Sequence, residues 1–344
     1  MATPNRTTRA PSSRPRKHAW DSAPARERSV GWQGEGFGLV LDSPYPITGI
    51  ARRVGRVPGD AIRLSVDTGP APLPAGERLR ELRHSDGRLG FAIDDLGGLG
   101  LRIAAPGVGG HHVSRDGRVV RSWPDTPLEL RWQQLLLGQV IPLVAALRGL
   151  EVLHASAVVR GGLAFAFAGD SGVGKSTLAA RLALRGNDLL ADDVLTVSLG
   201  DSGEPQGHRG STALSVLQGD GQLASQLLRG GAATVLESDG KRRVLLSTAD
   251  RVVPLGAVYR LRHDRGGGEP IGVPLRGSVT DLIGASFIKY VRTPARLSAQ
   301  LDVLAAIARR CPVVPVNMAS GLTSAQLAAG LEAHMTAIVE RGRH

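Results

Sequence analysis

The chain has a single cysteine, Cys311, which excludes an internal disulfide framework and makes a reducing cytosol the default compartment. Aromatic residues make up only 3% of its 344 residues. They nowhere interleave with basic residues as they do in proteins that stack single-stranded nucleic acid, so nucleic acid is disfavoured as a partner. Long hydrophobic runs are missing as well. The longest apolar candidate, Leu135 to Leu147, is interrupted by Gln139 and Pro142 and is too short to span a bilayer. The first residues lack the apolar core of a secretory signal, and no internal repeat is visible. The expectation is a cytoplasmic protein with no membrane attachment.

What remains is enough for a folded body. Hydrophobic residues reach 42%, and 45 glycines with 21 prolines imply many turns and short elements. The net charge of +11 is unevenly placed. Residues 1–30 hold seven Arg and Lys against two acids, so this stretch reads as a disordered basic tail and the rest is only mildly basic. Residues 31–125 read as a β-rich N-terminal domain. Ile62, Leu64 and Val66 alternate with polar neighbours, and Ser85-Asp86-Gly87 and Asp116-Gly117 mark turns, the second closing a hairpin. His111 and His112 are adjacent, so on a strand they point to opposite faces and do not make a metal pair. Leu130 to Leu150 reads as a helix with a kink or break at Pro142. Leu150 to Val159 reads as one strand carrying His154. Arg296–Arg310 and Ser324–Val339 read as closing amphipathic helices, the latter capped by Thr323 or Ser324. Asp201 to Gly240 shows little pattern beyond one helical patch near Leu223 to Leu228.

The informative stretch is Leu163 to Val197. An apolar run, Leu163 to Ala168, suits one buried strand. It leads into Gly169-Asp170-Ser171-Gly172-Val173-Gly174-Lys175-Ser176, which satisfies G-x-x-x-x-G-K-[ST] between a strand and a helix. The glycines let backbone N–H groups turn inward around phosphates. Lys175 would reach the β- and γ-phosphates, Ser176 would hold Mg²⁺, and the helix from Thr177 to Arg185 would add its N-terminal partial charge. Gly186 suits the end of that helix. The expected ligand is therefore a nucleoside triphosphate with Mg²⁺, and since such loops serve ATPases, GTPases and kinases alike, the loop does not choose the reaction. The next apolar run, Asp188 to Ala191, delivers Asp192-Asp193 to the carboxyl end of a strand, beside the phosphates. Two carboxylates there can divide the work of holding Mg²⁺ and of taking a proton from an attacking hydroxyl.

The segments GDSGVGKS, LALRG and LLADDV, with the His154-to-Gly169 spacing, resemble the HPr kinase/phosphorylase family of bacterial serine kinases. GQVIPLVAALRGLEVLHASAV before the loop is similar to a divergent HPr-kinase-related group that includes lasso-peptide precursor kinases. The resemblance implies an α/β fold: an HPr-kinase/phosphoenolpyruvate-carboxykinase-like P-loop catalytic domain over residues 126–340, behind the smaller β-rich domain. It makes Asp192 the general base, Asp193 the Mg²⁺-associated neighbour and His154 the residue that positions the base. Val273-Pro274-Leu275-Arg276-Gly277 resembles the family's later Pro/Arg-rich loop, with Arg276 as a transition-state or acceptor contact. Lys175 joins the catalytic set, and Gly169 to Ser176 with Thr177 form the nucleotide contact. Thr177 stands where the bifunctional enzymes carry Glu. The implied activity is ATP- and Mg²⁺-dependent phosphorylation of a serine-type hydroxyl on a peptide or protein. A kinase of a small hydroxyl metabolite such as free serine, and a non-catalytic ATP switch, are the other classes. The resemblance also brings a homo-oligomer into consideration.

Overall fold

Nine short strands open the chain: β1 Trp32–Gly36, β2 Leu39–Ser43, β3 Ala51–Arg52, β4 Ile62–Val66, β5 Glu77–Arg83, β6 Leu89–Asp95, β7 Leu101–Ala105, β8 Gly109–Val113 and β9 Val119–Pro124. The computed structural model describes residues 31–69, 73–126, 130–217, 220–238, 241–246, 248–249, 252–264, 269–274, 279–319 and 321–342. The basic tail and Arg276 lie outside the described residues. The nine strands form one sheet in the order β3-β1-β2-β4-β9-β8-β7-β6-β5. Both turn signals close hairpins, with Gly87 and Gly117 supplying the positive φ that such turns require. His111 is buried against the Ser122 hydroxyl at 2.8 Å, whereas His112 points away to the Leu99 carbonyl at 2.7 Å.

The helical segment packs on this sheet. α1 (Arg131–Leu135) and α2 (Ile141–Leu147) are joined by a π-helical turn, Leu136–Val140. Pro142 therefore does not break the chain direction. It sits in the first turn of α2, where a missing N–H costs little, and the wide turn precedes it.

The second half is a mixed α/β assembly. Its strands are β10 Glu151–Leu153, β11 Ala155–Arg160, β12 Leu163–Ala168, β13 Asp188–Ala191, β14 Leu195–Leu199, β15 Pro205–His208, β16 Ala213–Leu217, β17 Ala233–Ser238, β18 Lys241–Leu245, β19 Val252–Arg262 and β20 Val313–Asn317. Its helices are α3 Lys175–Ala183, α4 Gly221–Arg229, α5 Val279–Ile283, α6 Pro294–Arg310 and α7 Ser324–Arg341. An eight-stranded sheet runs β10-β14-β15-β19-β12-β11-β13, with β20 on β19, while β16-β18-β17 form a small separate sheet. β12 pairs in parallel with β19, and β19 with β20; β11 is antiparallel to both β12 and β13. The carboxyl ends of β12, β13, β19 and β20 thus share one edge, with the amino end of β11 among them. Phe165, Phe167 and Tyr259 face α3 and α7, and Ala166 and Val258 face α5 and α6.

Three sequence-based expectations need correction. The strand read over Leu150 to Val159 is broken at His154, and its halves pair with different partners. The helix after the loop starts at Lys175 and ends at Ala183, so Gly186, at φ 85°, lies in the turn beyond it. Residues 201–240, read as having little pattern beyond a helical patch, hold β15, β16 and β17 as well as α4, which covers the expected patch near Leu223 to Leu228. β15 reads Pro-Gln-Gly-His, which has no apolar alternation to reveal it.

Candidate functional site

The loop from Gly169 to Gly174 joins β12 to α3 at that shared edge. Its conformation depends on glycine. Gly174 takes φ 106°, and a Cβ there would stand 2.9 Å from the Met318 side chain. A Cβ on Gly169 would meet the Leu261 carbonyl of β19 at 2.6 Å, so the loop leaves the sheet by a path open only to glycine. Val173 turns inward and joins the core of Phe165, Phe167 and Leu178, anchoring the loop. Asp170 and Ser171 lie exposed on its rim, and Ser176 and Thr177 are half-buried in the first turn of α3.

Lys175 is only 5% exposed. Its Nζ donates to the Gly169 and Asp170 carbonyls, both at 2.9 Å, and lies 3.0 Å from His154 Nε2. An ammonium group only donates, so Nε2 accepts and the imidazole proton sits on Nδ1. Nδ1 then donates to the Asp193 carbonyl at 3.0 Å, with the Asp193 carboxylate at 3.3 Å. Burial is the main cause that lowers the His154 pKa from its ordinary value; Lys175 lowers it further, while Asp193 opposes the shift. His154 is therefore a neutral bridge at neutral pH.

Asp192 is buried at 6% exposure. Its Oδ1 accepts from Ser156 Oγ at 2.7 Å and its Oδ2 from the Ser215 N–H at 2.8 Å. Burial raises its pKa above the ordinary carboxylate value, and Asp193 adds to the rise, while the Ser215 and Ser156 donors and the nearby Ser176 hydroxyl oppose it. Asp193 adopts φ 68°, a left-handed conformation that Asp tolerates better than most residues, and its carboxylate is 57% exposed. The turn aims one carboxylate inward and the next outward, although the two are adjacent in sequence.

The first sheet braces this turn from behind. Phe37, at the tip of the β1–β2 hairpin, is 1% exposed and donates its N–H to the Arg209 carbonyl at 2.6 Å. A Cβ on the following Gly210 would be 3.1 Å from the Val194 carbonyl, 3.2 Å from Ala191 Cβ and 3.5 Å from the Phe37 ring. Phe37 and Asp193 are the two non-glycine residues with positive φ among the described residues.

The structure thus brings together Lys175, Ser176, His154, Asp192 and Asp193. Sequence reasoning missed the roles of Ser156 and Ser215. Ser156 is a small polar residue in an otherwise apolar run, with no motif to single it out, and Ser215 acts through its backbone N–H, which no residue type signals.

Neither the known family models nor the curated proteins give a match to this chain. Among solved structures, the chain is similar to the HPr(Ser) kinase/phosphatase from Coxiella burnetii. The two are 12% identical, with a TM-score of 0.31, over 55% of this chain and 98% of that one.

Proposed function

We propose that this protein is a Mg²⁺- and ATP-dependent P-loop kinase that transfers the γ-phosphoryl group to a serine-type hydroxyl on a peptide or protein. The observation that carries this reading is the buried Asp192, held by the Ser156 and Ser215 donors at the edge where Lys175 and the glycine loop end. A nucleotide-binding loop needs no such carboxylate merely to hold phosphate, and a proton-accepting group beside the phosphates is what hydroxyl attack requires.

The residues fit the groups this chemistry needs. Gly169 and Gly174 let the loop pack against the Leu261 carbonyl and Met318, where a Cβ would collide, and a glycine-rich turn of this kind presents backbone N–H groups to phosphate. Ser176 and the exposed Asp193 supply hard oxygen donors; Mg²⁺ takes few protein ligands, the rest coming from water and phosphate. Bound there, Mg²⁺ neutralises charge on the phosphates. Lys175 supplies a second positive charge, and His154 holds it in place while fixing the Asp193 turn through Nδ1. Asp192 takes the proton of the acceptor hydroxyl as the oxygen–phosphorus bond forms and the bond to the ADP oxygen breaks. Its raised pKa makes it a stronger base than an exposed carboxylate. Among the described residues no helix is long and apolar enough to cross a membrane, and the buried Cys311 thiol suits a cytoplasmic setting.

The test is transfer from γ-labelled ATP with Mg²⁺ to a cell-extract peptide fraction and, separately, to free serine. Label entering a peptide supports the reading, and label on free serine alone replaces it with a metabolite kinase. ATP binding with no transfer in the extract makes the protein a nucleotide switch.

A further inference from the structure

Two cations outside the glycine loop converge beside this site, and what they imply rests on the kinase reading above. Arg260 stands on β19 opposite Ala168, the residue before Gly169. By strand alternation its side chain shares the Val258 face, which is covered by α5 and α6 and lies opposite α3. Its neighbours in that row, Ala168 and Ala155, are small. Gly284, just beyond α5, leaves further room. Both terminal nitrogens of Arg260 lie 3.7 Å from the place a Cβ on Gly284 would occupy, and Nη1 is buried without a hydrogen-bond partner. Lys289 comes to the same glycine, its Nζ donating to the Gly284 carbonyl at 2.9 Å. The next residue, Ala285, accepts the His154 N–H at 2.7 Å, and Phe287 lies against the imidazole with ring centroids 5.7 Å apart.

Gathering two positive groups costs repulsion, and an unpaired buried guanidinium nitrogen costs desolvation. An anion offsets both. The nucleotide phosphates belong to the loop amides and the N-terminus of α3, on the other face of the sheet. We propose that Arg260 and Lys289 form the anion subsite for the phosphoryl acceptor, which is an acidic peptide carrying a carboxylate close to its reacting hydroxyl. The same chemistry would also recognise a small hydroxy acid.

Calorimetric titration separates these cases. The protein is first saturated with Mg²⁺ and a non-hydrolysable ATP analogue. The probes are a serine peptide flanked by aspartates against the same peptide with asparagines, and L-serine against L-serinamide. The carboxylate form of one pair binds about tenfold tighter or more, and the responding pair names the source. Arg260→Gln and Lys289→Gln each remove most of that preference, Arg260→Lys keeps most of it, and the affinity for the analogue stays within about twofold. Equal binding within both pairs, or no binding of any probe, overturns the subsite. So does a preference left intact in Arg260→Gln with only the melting temperature lowered, which would make the cations mere caps of α5. A parallel loss of analogue affinity in the variants would assign them to the nucleotide instead. Failure of the wild type to bind the analogue at all sinks the kinase reading, and the subsite with it.

Discussion

Asp192 and His154 owe their protonation states to burial, and the two shifts run in opposite directions. The raised Asp192 pKa means that the base form is lost at a higher pH than for an ordinary carboxylate. The acid limb of kcat/KM is therefore predicted to fall above the usual carboxylate range, and a pH–rate profile checks it. His154 shifts the other way, so it takes up its proton at a lower pH than an ordinary imidazole. His111 gives a stability counterpart. Burial pushes its pKa down to about 3, so between there and 6.5 the unfolded chain binds a proton that the folded one refuses. Stability is lost as pH falls through this window, by about 2 kcal/mol at pH 5 from this residue. Urea unfolding at pH 7 and pH 5 measures the loss, and His111→Phe should shrink it by about one proton's worth.

At the scale of elements, the site depends on contacts between segments distant in sequence. The segment that carries Asp192 and Asp193 packs on Gly210, which Phe37 covers from a hairpin more than 150 residues earlier in the chain. Phe37→Ala is predicted to cost about 3–5 kcal/mol and to lower transfer more than nucleotide affinity, because it loosens the Asp turn and leaves the loop alone. Glu151, fully buried, bonds Arg296 at 2.6 Å and Ser286 at 2.5 Å, tying β10 and α6 to the segment that backs His154. Glu151→Ala strands Arg296 and should cost about 3–5 kcal/mol, whereas a Glu151→Met, Arg296→Met pair should recover much of that. Denaturant midpoints decide both. Local elements were legible where pattern and chemistry coincide: the strand before the loop, the start of α7, where Thr323 proves to be the cap of the two candidates, and the short strand that delivers Asp192. The break at His154 was not legible, because the apolar pattern runs through it unchanged. It is set by long-range contacts: the halves pair with different strands, and the Ala285 carbonyl takes the His154 N–H between them.

Across the whole molecule, one hydrophobic core crosses from the first sheet into the second half. Ile93, Ile103, Leu136 and Val144 share it with Val152, Val194, Ile288 and Val291. Arg80 of β5 also lies over the Phe287 and Tyr290 rings, beside the His154 segment. The alternating strands that precede the loop were readable from the sequence pattern. The shared core was not, because a residue's partners across an interface leave no periodic trace. The expected outcome is a single cooperative unfolding transition in calorimetry. Two separate transitions would show that the β-rich part folds and melts without the rest.

The most direct test of the account is Asp192→Asn, compared with wild type for both ATP binding and γ-phosphoryl transfer to the same acceptor. The account predicts nucleotide affinity within a few-fold of wild type, with transfer slowed by about 10²–10⁴. Transfer at the wild-type rate would contradict it, because proton abstraction by Asp192 would then have no part in the reaction.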